Sequence, residues 1–305
     1  MEFSLSGTVL SKDLIAADGR LVAGRGEIVD LECLRHVSSL APRGLRERPL
    51  FETSLAEPVL EAFEAGPLKN LVGEDERRAK VADVLAEVRF PQQIWDEVEA
   101  LRKEDPVRFQ HAVWTSIVSA RLFSLALGSA PGLSKLIGGA LTHDLGMRVA
   151  GGRLRYKKDH LTRAEAIALE DHPLVGALLL ASVLGDAPAV HFALLHHTRA
   201  GRGYPRVQGT PPLRGLDLVT VASAFSALIA PRAFRDSAYS PRGAIDQLSE
   251  DAAAGHFDLR AVKILIHCMR GGKGSAATVQ LPKQMTGFRP PENHHGVQPD
   301  SRLTA

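Results

Sequence analysis

His111, the adjacent pair His143 and Asp144, His172, and the adjacent pair His196 and His197 bring five imidazoles and one carboxylate into the middle of this chain. Twelve histidines occur in all, so adjacency alone decides little, and position on the helices decides more. His143 follows Leu136 and Ala140 by seven and three residues, and Asp144 follows Ile137 and Leu141 by the same steps. His196 stands in that relation to Ala189 and Ala193, His197 to Val190 and Leu194, and His111 shares a stripe with Val118 and Leu122. Such steps place polar groups on or beside the inward face of a helix. A carboxylate and several imidazoles turned into one core lose hydration that must be replaced, and a bound cation replaces it. Nitrogen and carboxylate donors without thiolate suit iron, manganese, zinc or nickel better than calcium, and one carboxylate can bridge two ions. Two metals roughly 3.5–4 Å apart would polarise a phosphoryl oxygen and hold a hydroxide for in-line attack.

The elements that must carry these groups are helical. Trp114, Ile117, Val118, Leu122 and Leu125 recur at three- and four-residue steps, as do Leu133, Leu136, Ile137, Ala140, Leu141 and Leu145. The same reading predicts helices near 162–170, 174–184, 187–198, 216–230, 241–253 and 258–270. Upstream, short apolar runs broken by Asp18-Gly19 and by Gly24-Arg25-Gly26 predict one or two hairpins and then a short helix. Pro42, Pro49, Pro58 and Pro67 mark a connecting region with at most short helices. The expected organisation is a small N-terminal α/β module and linker over 1–85, a helical domain over 86–271, and a polar tail over 272–305. The tail is expected to form a short strand pair at most and then to fray.

Composition narrows the class of function. Thirty-seven basic against 35 acidic residues leave a net charge of +2, too little for a whole-surface nucleic-acid binder, and 5% aromatics argue against a base-stacking groove. Cys33 and Cys268 form no CxxC unit. No leader pattern opens the chain, and the longest apolar runs, such as Leu218–Ala230, fall short of the roughly 20 residues that span a bilayer. The expectation is a cytoplasmic protein without membrane insertion and without a nucleic-acid polymer as partner.

The segments HAVWTSIVSARLFSLALG, LTHDLG, LTRAEAIALEDHPLVGALLL, HHTRAGRGYP, VASAFSALIAPRAFR, AIDQL and HFD occur in that order. Over about 107–270 the chain thereby resembles the HD-GYP branch of the HD superfamily of metal-dependent phosphohydrolases, with Gly203, Tyr204 and Pro205 as the element that separates this branch from others. The resemblance implies an HD-type helical bundle that hydrolyses cyclic di-GMP or a related phosphodiester. One metal would be held by His111, His143, Asp144 and an aspartate of the VASAFSAL helix; a second by the bridging Asp144 with His172, His196 and His197. His143 and Asp144 would be the catalytic pair, and a metal-bound hydroxide would attack phosphorus. Lys157, Tyr204, Arg232 and Arg235 would meet the substrate.

The chain departs from that pattern at Ser223, where the aspartate would stand, and at Met147, where a lysine would stand. Arg148 would point about 100° away and cannot replace that lysine. Val107 stands where a glutamate would admit a third metal, and Asp217 is read as a helix N-cap. Two divalent sites, one of them weakened, are therefore expected. Two readings follow: a phosphodiesterase of reduced activity, or a degenerate module that senses nucleotide or docks a signalling protein through the Gly-Tyr-Pro region.

Overall fold

A computed structural model describes residues 4–291 apart from 6, 65, 74, 129, 200–201, 206, 209–212 and 273. The expected mainly helical bundle forms. Its N-terminal part pairs Thr8–Val9 with Ile28–Val29 and Leu14–Ile15 with Leu21–Ala23, both antiparallel, before helix α1 (Leu31–Ser39). Asp30 caps that helix by accepting from the Cys33 amide. Ser4–Leu5 pairs with Val207–Gln208, which brings the start of the chain to the stretch after Gly-Tyr-Pro.

The proline-marked region is more ordered than a connector. It contains α2 (Ala56–Glu64), α3 (Gly66–Val72) and α4 (Asp75–Ala86), and Val59, Phe63, Leu68, Leu71 and Val72 are buried. Pro58 and Pro67 fall within first helical turns, where a missing N–H breaks no intrahelical bond, so they open helices instead of ending them.

The bundle continues through α5 (Gln92–Glu104), α6 (Pro106–Leu127), α7 (Leu133–Thr142), the short α8 (Met147–Ala150), α9 (Arg163–Glu170), α10 (His172–Leu184), α11 (Pro188–Leu195), α12 (Leu216–Ile229), α13 (Pro241–Ala253) and α14 (Leu259–Met269). Helix α6 lies at the centre, packed on α7, α12, α5 and α14, and residues 111–120 are buried all round it. One apolar cluster runs from Leu10 to Val279. The helix expected to reach residue 198 stops at Leu195, because His196 caps its end. The helix N-cap before 216 is Gly215 in the left-handed region, not Asp217, which lies exposed in the first turn. Helices α9 and α10 nearly abut, so Arg163–Leu184 is, contrary to the expectation, long and apolar enough to cross a membrane by length and composition; 67% of its window is buried in the bundle. Among the described tail residues the element is a single 3-10 turn, Ala276–Thr278, and no strand; 292–305 lie outside the described residues.

Candidate metal centre

Helix ends position the imidazoles. The last carbonyls of an α-helix have no intrahelical partner. His143, just past α7, places Nδ1 2.7 Å from the Ala140 carbonyl oxygen. His172, just past α9, does the same to Leu169 at 2.7 Å, and His196, just past α11, to Ala193 at 2.9 Å and Phe192 at 3.1 Å. A carbonyl only accepts, so each Nδ1 carries the proton and each neutral ring turns an unprotonated Nε2 toward the interior. Burial lowers the pKa of all three rings, that of His172 to about 4, so they are neutral at pH 7. His111 reaches the same space from the second turn of α6, whose N-cap Asp105 accepts from the Arg108 amide at 3.1 Å. Burial and the Arg232 charge hold His111 well below its ordinary pKa, and its Nδ1 is buried without a hydrogen bond.

Asp144 stands in the middle, 3% exposed. Burial alone would push its carboxyl up, but the Arg108 guanidinium together with the His172, His143 and His111 rings outweighs that and holds it well below the usual range. Its two oxygens face different neighbours. Oδ1 lies 3.2 Å from His172 Nε2 and 3.9 Å from His196 Nε2; Oδ2 lies 3.3 Å from Arg108 Nη1 and 3.9 Å from His111 Nε2. The centre thus has two sides. On one, Ser223 Oγ sits 3.2 Å from His143 Nε2 and 3.4 Å from His111 Nε2. On the other, His172 Nε2 and His196 Nε2 are 3.3 Å apart, and His197 completes a trio whose ligand atoms lie within 4.8 Å of one another. Tyr204 stacks on the His197 ring with centroids 4.6 Å apart, so the Gly-Tyr-Pro element closes this second side.

On the Tyr204 side, His172 Nε2, His196 Nε2 and Asp144 Oδ1 are all acceptors, and the two rings have committed their protons to carbonyls. Three lone pairs facing one another at 3.2–3.9 Å repel unless a cation lies among them. The donor set therefore fits a divalent transition metal.

All six expected ligands converge. The expected substrate contacts do so in part. Tyr204, Lys157 and Arg232 line a cavity of about 680 Å³ that opens on the centre. Lys157 Nζ is bound by the Glu165 carboxylate, which also closes the capping box of α9 with Thr162, so its charge is already offset. Arg232 has no hydrogen-bond or ion-pair partner among the described residues, and burial with the Arg108 charge pulls its pKa down to about 9, still well above neutral pH. Arg235 is a correction. It is 6% exposed and turned inward, its Nη2 donating to the carbonyls of Ala227, Leu228 and Ala230 at 2.5–2.8 Å. It serves the free end of α12 and does not reach the cavity. Met147 lines the cavity with its thioether, while Arg148 turns away to Glu97. Val107 is exposed at the surface.

Arg108 escaped the sequence reading. It is three residues before His111 and so on the same helical face, a spacing that could have found it. No family model matches this chain, and no curated protein does. Among solved structures, the HD domain of the L. monocytogenes phosphodiesterase PgpH is similar with a TM-score of 0.43 and 14% identity, over 57% of this chain and 95% of that domain.

Proposed function

We propose that this protein is a metal-dependent phosphodiesterase of the HD-GYP type, acting in the cytoplasm on cyclic di-GMP or a related phosphodiester. The observation that carries the reading is the convergence of Asp144 Oδ1 with the unprotonated Nε2 atoms of His172 and His196, with His197 beside them. Asp144, His172, His196 and His197 would hold the stronger metal; His111, His143 and Asp144, with Ser223 as a neutral fourth oxygen, would form the weakened position. A bound divalent cation supplies Lewis-acid polarisation of a phosphoryl oxygen and of a water nucleophile.

The protein's own groups do the rest. Arg108 and Arg232, both lining the cavity, offer guanidinium N–H groups to the non-bridging phosphate oxygens. Tyr204 and Phe234 line the same space and supply aromatic surface on which a purine would pack. The carbonyls of Ala140, Leu169 and Ala193 keep the imidazoles from rotating, which preserves the direction of every Nε2.

A regulatory module that binds nucleotide without cleaving it is favoured by two observations, the apolar Met147 in the cavity wall and the engagement of Lys157 by Glu165. One preparation separates the readings: elemental analysis for metal, and turnover of cyclic di-GMP with added manganese or iron(II). Metal with turnover supports the enzyme. Metal with dinucleotide binding and no cleavage supports the module, and a chain that retains no metal overturns the reading at its base.

A further inference from the structure

We infer that on the Ser223 side of the centre Arg108 and Ser223 take the place of a metal, leaving one divalent ion on the Tyr204 side and a guanidinium as the second cation. The inference rests on the metal-dependent reading above and narrows it, replacing the weakened second metal position by protein groups. Its basis is a donor count on each side of Asp144. On the Tyr204 side, Asp144 Oδ1, His172 Nε2 and His196 Nε2 have no donor among the described residues to face them. On the Ser223 side the corresponding acceptors are already served. Arg108 Nη1 donates to Asp144 Oδ2 at 3.3 Å. The Ser223 hydroxyl donates its one proton to His143 Nε2 at 3.2 Å, and His111, whose Nδ1 has no hydrogen bond to hold a proton there, carries it on Nε2 and donates to Ser223 Oγ at 3.4 Å.

Charge points the same way. A divalent ion between His111, His143 and Asp144 Oδ2 would sit against a guanidinium already in contact with that oxygen, with Arg232 a second nearby cation and Asp144 the one carboxylate in the His111, His143 and Asp144 group. The serine and the arginine are compensating departures: loss of an anionic ligand removes the charge that would attract an ion, and the arginine supplies the positive charge Asp144 still requires. Arg108 uses one of its five N–H groups on Asp144 and lines the cavity, which leaves N–H groups to offer a phosphate that enters there. The substrate phosphate would then be neutralised by a fixed organic cation on one side, which a metal exchange cannot remove.

The full chain, loaded with manganese(II) and freed of excess, tests this by elemental analysis and electron paramagnetic resonance. The expected result is one equivalent with the six-line signal of an isolated ion. Ser223→Asp alone should remain at one equivalent, because the new carboxylate pairs with Arg108. Arg108→Met/Ser223→Asp should take up two and show an exchange-coupled spectrum. Circular dichroism establishes that the double variant folds; should it not, Arg108→Met alone carries the test, with a second, weaker equivalent expected. Two equivalents in the unaltered chain overturn the inference and leave the metal-dependent reading standing. A folded variant lacking Arg108 that stays at one equivalent overturns it as well. No metal in the unaltered chain overturns both.

Discussion

Gly146 lies so close to the backbone of His172 that a Cβ placed on it would come 2.0 Å from the His172 carbonyl oxygen and 2.5 Å from the Gly176 amide nitrogen. This contact sets the turn that carries His143 and Asp144 against the start of α10, and so fixes the separation between Asp144 and His172. Its backbone is right-handed helical, so closeness and not dihedral angle demands the glycine. Gly146→Ala is expected to cost about 3 kcal/mol or more, since neither backbone can yield without moving a helix. Urea unfolding measures it. An unchanged midpoint would mean the two segments separate freely.

The periodic parts of this molecule were legible in the sequence because burial on a helix writes a 3.6-residue rhythm into the chain; Leu133 to Leu145 announced α7 and the turn beyond it. The convergence of His111, His143, Asp144, His172, His196 and His197 was legible from order and spacing as well. What a side chain does at the end of its reach was not. The motif that contains Arg232 and Arg235 gives two guanidiniums, yet only the fold decides that one lines the cavity and the other turns to the carbonyls of α12. At Pro58 and Pro67 the expected short helices form, but their burial was not legible, because the register that turns Val59, Phe63 and Leu68 inward depends on the helices beside them.

That division between the two arginines is measurable. Arg235→Ala removes three hydrogen bonds to a helix end, so a loss of about 2 kcal/mol in stability is expected, with metal content unchanged. Arg232→Ala should do the reverse, leaving the unfolding midpoint nearly constant and weakening binding of cyclic di-GMP by about tenfold or more. Equal effects of both substitutions on ligand affinity would return Arg235 to the substrate-binding set.

Acid should unfold the metal-free chain early. His172 has its pKa lowered by burial from 6.5 to about 4, so as pH falls below 6.5 the unfolded chain takes up a proton that the native chain refuses. Stability is therefore full above 6.5 and falls progressively down to about 4, by about 3 kcal/mol from this ring alone. His143, His196 and His197 are shifted in the same direction. Asp144, held low against the effect of burial by Arg108 and the surrounding imidazoles together, adds a loss of the same sign below its ordinary 3.8. Urea midpoints of chelator-treated protein between pH 8 and 5 should decline on the acid side, and a flat profile would place these rings in water.

Glu97 ties the hairpin of residues 14–23 to the turn after Asp144. Its carboxylate, 3% exposed, accepts from Arg148 Nη2 at 2.8 Å and Nε at 3.1 Å and from the Ala17 amide at 2.5 Å. Burial raises its pKa although Arg148 opposes the shift, so the pair is a structural clasp held at a desolvation cost. Glu97→Ala leaves a largely buried guanidinium and a backbone N–H unserved and is expected to lose about 3 kcal/mol; Arg148→Ala leaves a buried carboxylate and should lose a similar amount. Because each single change strands the other partner, the double variant should lose less than the sum, with a coupling energy of about 1–3 kcal/mol. Strict additivity would mean that the two side chains act separately. Hydrogen exchange gives the second readout: amides of residues 14–23 should lose protection in Glu97→Ala while those of α6 keep theirs.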